Sequence, residues 1–165
     1  MPSDKTVYFE RGVVYQLMGN HELAIKDFEQ ALEIEPKYHE ALYHVGRSRL
    51  ASKNVIQAEK DFQKALAMSD KPEIYEGLGL CFHMKQEYEE AVSHFNDAIT
   101  KDPTNVQFQR SLSRCYYDQE KFEQSTICLE KARDLLTEDD SNVYYELGLS
   151  LFAERHYKKC LKILK

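Results

Sequence analysis

The sequence contains no long apolar run, and this absence argues against a membrane-spanning protein. A transmembrane helix needs about 18 to 20 mostly apolar residues, and no stretch of the 165-residue chain comes near that length. The first residues, Met1 to Lys5, lack the apolar core of a secretory signal peptide. No Asn-X-Ser/Thr glycosylation site occurs in the sequence. We therefore expect a soluble, intracellular, cytoplasmic protein without a membrane partner.

Residues that build metal and catalytic sites are present, but their spacing is wrong for either purpose. The four cysteines form no Cys-X-X-Cys pair, and the six histidines form no His-X-X-X-His pair. Gly-rich phosphate loops, Gly-X-Ser-X-Gly and His-Glu-X-X-His are also missing. We interpret the thiols as small buried side chains in a reducing compartment. The sequence predicts no metal site, no cofactor and no enzyme activity. The cysteines are Cys81, Cys115, Cys128 and Cys160.

The sequence also lacks an excess of positive charge, since its formal net charge is −6 at pH 7. Nucleic-acid backbones attract clustered lysines and arginines, whereas the basic residues here are interleaved with acidic ones. This pattern argues against a nucleic-acid partner. Helical repeats of similar length do bind RNA, so RNA binding is kept as the least favoured alternative.

What the sequence does have is a spacing that recurs along the whole chain. Gly79 has aromatic residues four before and three after it, followed by Ala, Phe, Ala and Pro 12, 16, 19 and 24 residues later. Gly12 repeats all six positions. Five such origin residues follow one another at spacings of 34, 33, 34 and 35. They are Gly12, Gly46, Gly79, Ser113 and Gly148.

Each repeated position has a packing reason. Apolar residues three and four apart share one helix face, so Tyr75, Leu78 and Phe82 belong to one helix. Tyr88 and Phe95 lie on a second helix, beyond a polar turn at residues 85–87. Small residues occur where two antiparallel helices must approach closely, and Pro103 follows the second helix of the pair and prevents its continuation. Such a hairpin cannot bury its apolar face without a neighbour, which makes this a repeat protein.

The pattern resembles the tetratricopeptide repeat, a two-helix unit of 34 residues. The resemblance implies an all-α, right-handed superhelix of about five hairpins, with approximate units 5–38, 39–71, 72–105, 106–140 and 141–165. The fifth unit is incomplete and no polar capping helix follows it, so we expect a fragment of a longer array. Its apolar end predicts that the chain self-associates there or that this end frays. The residues of that end are Leu151, Phe152, Cys160, Leu161 and Leu164.

The resemblance further implies that the first helix of each unit lines a concave groove that binds peptides or partner helices. The residues three before, two before, one after and four after each origin should face this groove. The alternative is an ordinary exposed polar face. From these positions we select, as candidate partner-binding residues, Phe9, Val13, Tyr43, His44, Arg47, Leu80, His83, Arg110, Arg114, Tyr117, Tyr145 and Leu149.

The arginines of this set predict a partner with acidic residues, unless they pair instead with Glu76, Glu146 or other acids of the chain. Members of the family that bind the C-terminal tails of chaperones carry Lys, Asn and Arg at five groove positions. None of the five is kept here, which argues against that partner. The matching residues are Phe9, Val13, His44, Glu73 and Gly77.

The resulting hypothesis is a non-catalytic scaffold for protein–protein interaction. The alternative is a targeting or regulatory array attached to an enzyme domain outside this chain.

Overall fold

The computed structural model describes residues 4–138 and 140–163, and within those ranges it contains ten α-helices and no strand. Within the same ranges, no helix is both long and apolar enough to cross a membrane. The helices are α1 (Lys5–Leu17), α2 (His21–Ile34), α3 (His39–Ala51), α4 (Val55–Leu66), α5 (Pro72–Met84), α6 (Tyr88–Lys101), α7 (Val106–Asp118), α8 (Phe122–Asp134), α9 (Ser141–Ala153) and α10 (Tyr157–Ile163).

Consecutive helices pack in pairs, α1 with α2 through to α9 with α10, and each pair also packs on the next. This is the predicted right-handed superhelix of five hairpins. The apolar faces that a single hairpin leaves open are covered by its neighbours, so the core is a row of separate clusters rather than one centre.

The turn inside every hairpin has the same geometry. The seventh residue after each origin adopts a positive φ: Gly19 at 76°, Lys53 at 62°, Gln86 at 64°, Glu120 at 59° and Arg155 at 63°. At the first turn the N–H of Asn20 donates to the carbonyl of Tyr15 at 2.8 Å. The N–H of Gly19 donates to the carbonyl of Gln16 at 3.0 Å, which completes a Schellman motif. The other four turns repeat both bonds, although only the first uses glycine.

The N-termini of α2 and α9 differ in how they are capped. Asn20 makes no side-chain cap for α2, because its ψ of 66° lies outside the extended region from which a cap side chain reaches the helix. The cap of α9 is Asp140, which accepts from the N–H of Asn142 at 2.9 Å, and Ser141 is already helical.

The glycines at the first three origins lie against phenylalanine rings. A Cβ atom at Gly12 would lie 2.7 Å from the ring of Phe28, and one at Gly79 would lie 2.7 Å from that of Phe95. These distances are shorter than any stable contact, so a side chain at either position would force the helices apart. The rings of Phe28, Phe62 and Phe95 are fully buried.

Each phenylalanine also contacts the following unit. Phe62 lies against Gly46 of its own first helix and against Gly77 of the next, where an added Cβ would come within 2.5 Å. We call this three-helix junction a seam. In the second seam its four members are Phe62, Gly46, Tyr43 and Gly77. Phe62 is the sixteenth residue after the origin Gly46, and Tyr43 is the third residue before it. Gly77 is the second residue before the next origin, Gly79.

The buried thiols and the C-terminal hairpin complete the core. All four cysteines are free and buried, as predicted, and burial raises the pKa of the Cys81 thiol to about 12. At the C-terminal end, Leu151 and Cys160 are buried with Leu147, so they do not form the open face expected there. Phe152 and Leu161 remain 61% and 65% exposed. Leu164 lies outside the described residues, and self-association through this end stays a prediction.

Candidate partner-binding wall

The first helices of the five units form one continuous surface, which we call the wall. α1 packs directly on α3, α3 on α5 and α5 on α7, and no comparable contact joins successive second helices in the described ranges. The first helices therefore lie on the inner, more crowded side of the superhelix. α7 and α9 approach each other less closely than the earlier pairs do.

In the first two units, most predicted wall residues are engaged between helices. The ring of Phe9 lies 5.6 Å from that of Phe28 and 5.2 Å from that of His44, and Val13 packs on the same cluster. Tyr43 lies 6.0 Å from the ring of Phe62. These side chains are only half-exposed, so they contribute to the stability of the seams as well as to the wall surface.

His44 lies in the first seam rather than on the open wall. Its Nδ1 is 2.7 Å from Oε1 of Gln16, and its ring lies 5.3 Å from that of Phe28. Burial, together with the smaller effect of the nearby Arg47, lowers the pKa of His44 to about 4. The imidazole is therefore neutral at pH 7 and offers no charge to a partner.

Leu80 and His83 connect the third unit to the fourth. Leu80 is half-buried against the third apolar cluster, which contains Phe95. Nε2 of His83 lies 2.8 Å from Oδ2 of Asp118, so this contact joins α5 to α7 along the wall.

The three wall arginines differ in how they are paired. Arg110 donates to both carboxylate oxygens of Glu146, at 2.9 and 2.7 Å, as the alternative interpretation expected. Arg47 is exposed, with its guanidinium 5.8 Å from the ring of Tyr43. Arg114 is exposed and makes no ion pair with any residue that the structure describes. The guanidinium of Arg114 is therefore not engaged in an ion pair within the described part of the chain.

The exposed apolar part of the wall is concentrated on α7 and α9. Tyr117, Tyr145 and Leu149 are 37%, 61% and 40% exposed, and Arg114 is exposed among them. Exposed aromatic and arginine side chains side by side are typical of surfaces that bind proteins. The structure thus brings four of the predicted residues together at this end of the wall.

A cavity of about 550 Å³ opens in the same place, between α7, α8 and α9. We call it the fourth-seam pocket. Its floor consists of Ser113, Ser125, Leu129 and Ser150, all of them buried. The other residues that line it are Arg110, Arg114, Tyr117, Asp118, Asn142, Tyr145, Glu146 and Leu149, and we call them its mouth.

Three of the four floor residues are serines, and their hydroxyl groups form a hydrogen-bonded chain. Oγ of Ser125 lies 2.8 Å from Oγ of Ser113 and 2.8 Å from Oγ of Ser150. Three hydroxyls carry three protons, and the two bonds use only two of them. This polar junction replaces the glycine–phenylalanine contact of the earlier units.

Sequence reasoning did not identify this pocket. Ser113, Ser125 and Leu129 register in the sequence only as departures from the repeat pattern. The useful signal was Leu129, since a leucine at the sixteenth position cannot fill the volume that phenylalanine fills elsewhere.

Comparison with known proteins points to one family. Two family models, both described as tetratricopeptide repeat, match residues 6–38 and 46–106, which together make up more than half of the chain.

The DnaJ homolog subfamily C member 3 of Gallus gallus is 23% identical over 94% of this chain. The match covers 35% of that protein, and the chain spans about a third or less of the length of the curated relatives it matches.

Two solved structures share the fold. TTC0263, a thermophilic TPR protein of Thermus thermophilus, superposes with a TM-score of 0.83 at 20% identity, covering 96% of this chain and 87% of that one. YrrB, a TPR protein with an unusual peptide-binding site, gives a TM-score of 0.69 at 15% identity, covering 98% and 84%.

Proposed function

This chain belongs to the tetratricopeptide repeat family, and from that premise we propose that it is a non-catalytic scaffold that binds an extended peptide or a partner helix along its wall. Proteins of this fold generally serve as protein–protein interaction scaffolds. The binding surface is the row of first helices, and the partner carries acidic residues that meet Arg47 and Arg114.

The observation that carries the proposal is the exposed group on α7 and α9. Three large apolar side chains, Tyr117, Tyr145 and Leu149, surround Arg114, which has no ion-pair partner in the described part of the chain. Isolated exposed apolar residues need no explanation, but a contiguous set beside an unpaired charge is typical of interfaces. The peptide-binding site named for YrrB is consistent with such a role.

Charge reversal on the wall tests the proposal. We expect Arg47→Glu and Arg114→Glu to leave the melting temperature nearly unchanged, because exposed charges contribute about 0–1 kcal/mol to stability. The same variants should lose a partner that the unmodified chain captures from a lysate of its source organism. The measurement is an affinity pulldown with identification and quantification of the bound proteins.

The matched control is Lys26→Glu. Lys26 lies on α2, away from the first helices. A partner that is lost from the wall variants and retained by Lys26→Glu supports the proposal. Equal capture by all the variants would remove the wall as the binding surface.

A further inference from the structure

The fourth-seam pocket lies where the earlier units hold a phenylalanine ring. In the second seam, Phe62 is surrounded by Gly46, Tyr43 and Gly77. The corresponding residues around Leu129 are Ser113, Arg110 and Glu146, and all four of these line the pocket. The fold therefore repeats the surroundings of an aromatic ring in the fourth unit, but the smaller, buried Leu129 stands in the place of the ring.

The residues around the fourth-seam pocket favour an aromatic occupant from another molecule. Tyr117, Tyr145 and Leu149 give the mouth an apolar rim. The guanidinium groups of Arg110 and Arg114 lie at the same mouth, and such groups attract the faces of aromatic rings. A volume of about 550 Å³ accommodates an aromatic side chain together with part of its backbone.

The charges at the mouth of the pocket also indicate which kind of residue lies next to the aromatic residue of the partner. Arg110 is neutralised by Glu146, and Asp118 is engaged with His83. Arg114 is left as the cation without an acidic partner among the described residues. A carboxylate close to the aromatic residue would complete this arrangement.

We infer that the fourth-seam pocket receives one aromatic side chain of an extended partner peptide, with an acidic residue one or two positions away that pairs with Arg114. This assignment rests on the function proposed above and adds the chemistry of the peptide. It gives the pocket the same kind of occupant that Phe28, Phe62 and Phe95 supply from within the chain.

A library of random 12-residue peptides displayed on phage tests the assignment directly. We expect selection on the purified chain to enrich peptides with an aromatic residue and an acidic residue within two positions of each other. Affinities of the enriched peptides follow from fluorescence polarisation. Arg114→Glu should weaken them roughly tenfold or more, as for other interface hot spots.

The decisive variant, which we call the closed-seat variant, fills the fourth-seam pocket with a phenylalanine ring from the chain itself. Leu129→Phe together with Ser113→Gly rebuilds the seam of the earlier units, and we expect it to reduce peptide binding by at least about tenfold. If this variant does not fold, as judged by its circular dichroism, Leu149→Asp changes an exposed residue of the mouth and should have the same effect. Lys26→Glu should bind the peptides unchanged.

The outcomes separate this assignment from the proposed function. The pocket assignment is overturned if the peptides bind the closed-seat variant and Leu149→Asp as tightly as they bind the unmodified chain. This holds even if Arg47→Glu weakens their binding. Selection that enriches no peptide, or peptides without aromatic residues, overturns it too. In either case a partner captured through Arg47 and Arg114 would leave the proposed function standing. Loss of binding in the closed-seat variant supports both.

Discussion

The first three seams and the fourth solve the same packing problem with different chemistry. In the first three, a buried phenylalanine lies against a glycine, and an added Cβ would come within 2.9 Å of the ring or less. In the fourth, Leu129 and a chain of serine hydroxyls take their places, and a pocket opens. The same backbone arrangement thus produces a closed core in one region and a candidate binding site in another.

This difference is possible because the array is stabilised by contacts between neighbouring units. In such a protein each seam contributes its own share of stability, so one seam can become polar without unfolding the others. The fourth unit retains the buried Ala132 and the hairpin turn between α7 and α8, and α8 still packs on α9. A binding site can therefore arise from a loss of packing rather than from an added loop.

The largest predicted difference between the seams is in how the free energy of unfolding changes at acid pH. The first seam contains His44, which stays neutral when folded down to a pH of about 4 because burial lowers its pKa. In the unfolded chain the imidazole takes up a proton near pH 6.5. Between these values the unfolded state binds more protons, so stability falls as the pH falls. We expect His44 alone to cost on the order of 3 kcal/mol by pH 4.

His44→Gln isolates this effect, since glutamine does not titrate. Urea denaturation of both proteins at pH 7 and pH 4.5 gives the four free energies of unfolding that are needed. Other groups, such as His94, whose pKa is also lowered by burial, titrate alike in both proteins and cancel. An equal loss of stability in the two proteins between these pH values would show that His44 is not the sensitive group.

A smaller but still large effect is expected from adding one methyl group to a closed seam. The Cβ of Gly79→Ala would lie 2.7 Å from the ring of Phe95, so either the ring or the helix must move. Overpacking of this kind typically costs about 1–3 kcal/mol. Ser113→Ala at the equivalent position in the fourth seam adds no volume and removes one hydrogen bond, for about 1 kcal/mol.

The two free energies of unfolding, measured by urea denaturation, decide whether the seams differ as described. Gly79→Ala should be clearly the more destabilising of the pair. A cost for Ser113→Ala that equals or exceeds that of Gly79→Ala would contradict the view that the fourth seam is the looser one.

The sequence predicted the helices well because helix formation depends on local spacing. The recurrence around Gly12 and Gly79 was sufficient for the fold and the number of hairpins. It could not separate residues that face the open wall from residues that face a seam. His44 sits two before an origin, and that position points at the phenylalanine of the preceding unit.

Pairing between distant side chains was also beyond the sequence. The ion pair of Arg110 and Glu146 joins residues 36 apart, and nothing local distinguishes Arg110 from the unpaired Arg114. The pocket was missed for the same reason. Leu129 signals a smaller side chain in the fourth seam, but the pocket also depends on how α7, α8 and α9 pack around it, which the sequence does not specify locally.

The smallest expected effect is in the hairpin turns, where the two regions should not differ at all. Gln86 and Glu120 both have a positive φ, at 64° and 59°, in the same Schellman geometry that Gly19 adopts. Glycine adopts this conformation without the strain of a side chain, though it also increases the entropy of the unfolded chain. We expect Gln86→Gly and Glu120→Gly each to stabilise the fold by about 0.5–1 kcal/mol, measured by urea denaturation. A gain at one turn and a loss at the other would show that the seams influence the turns.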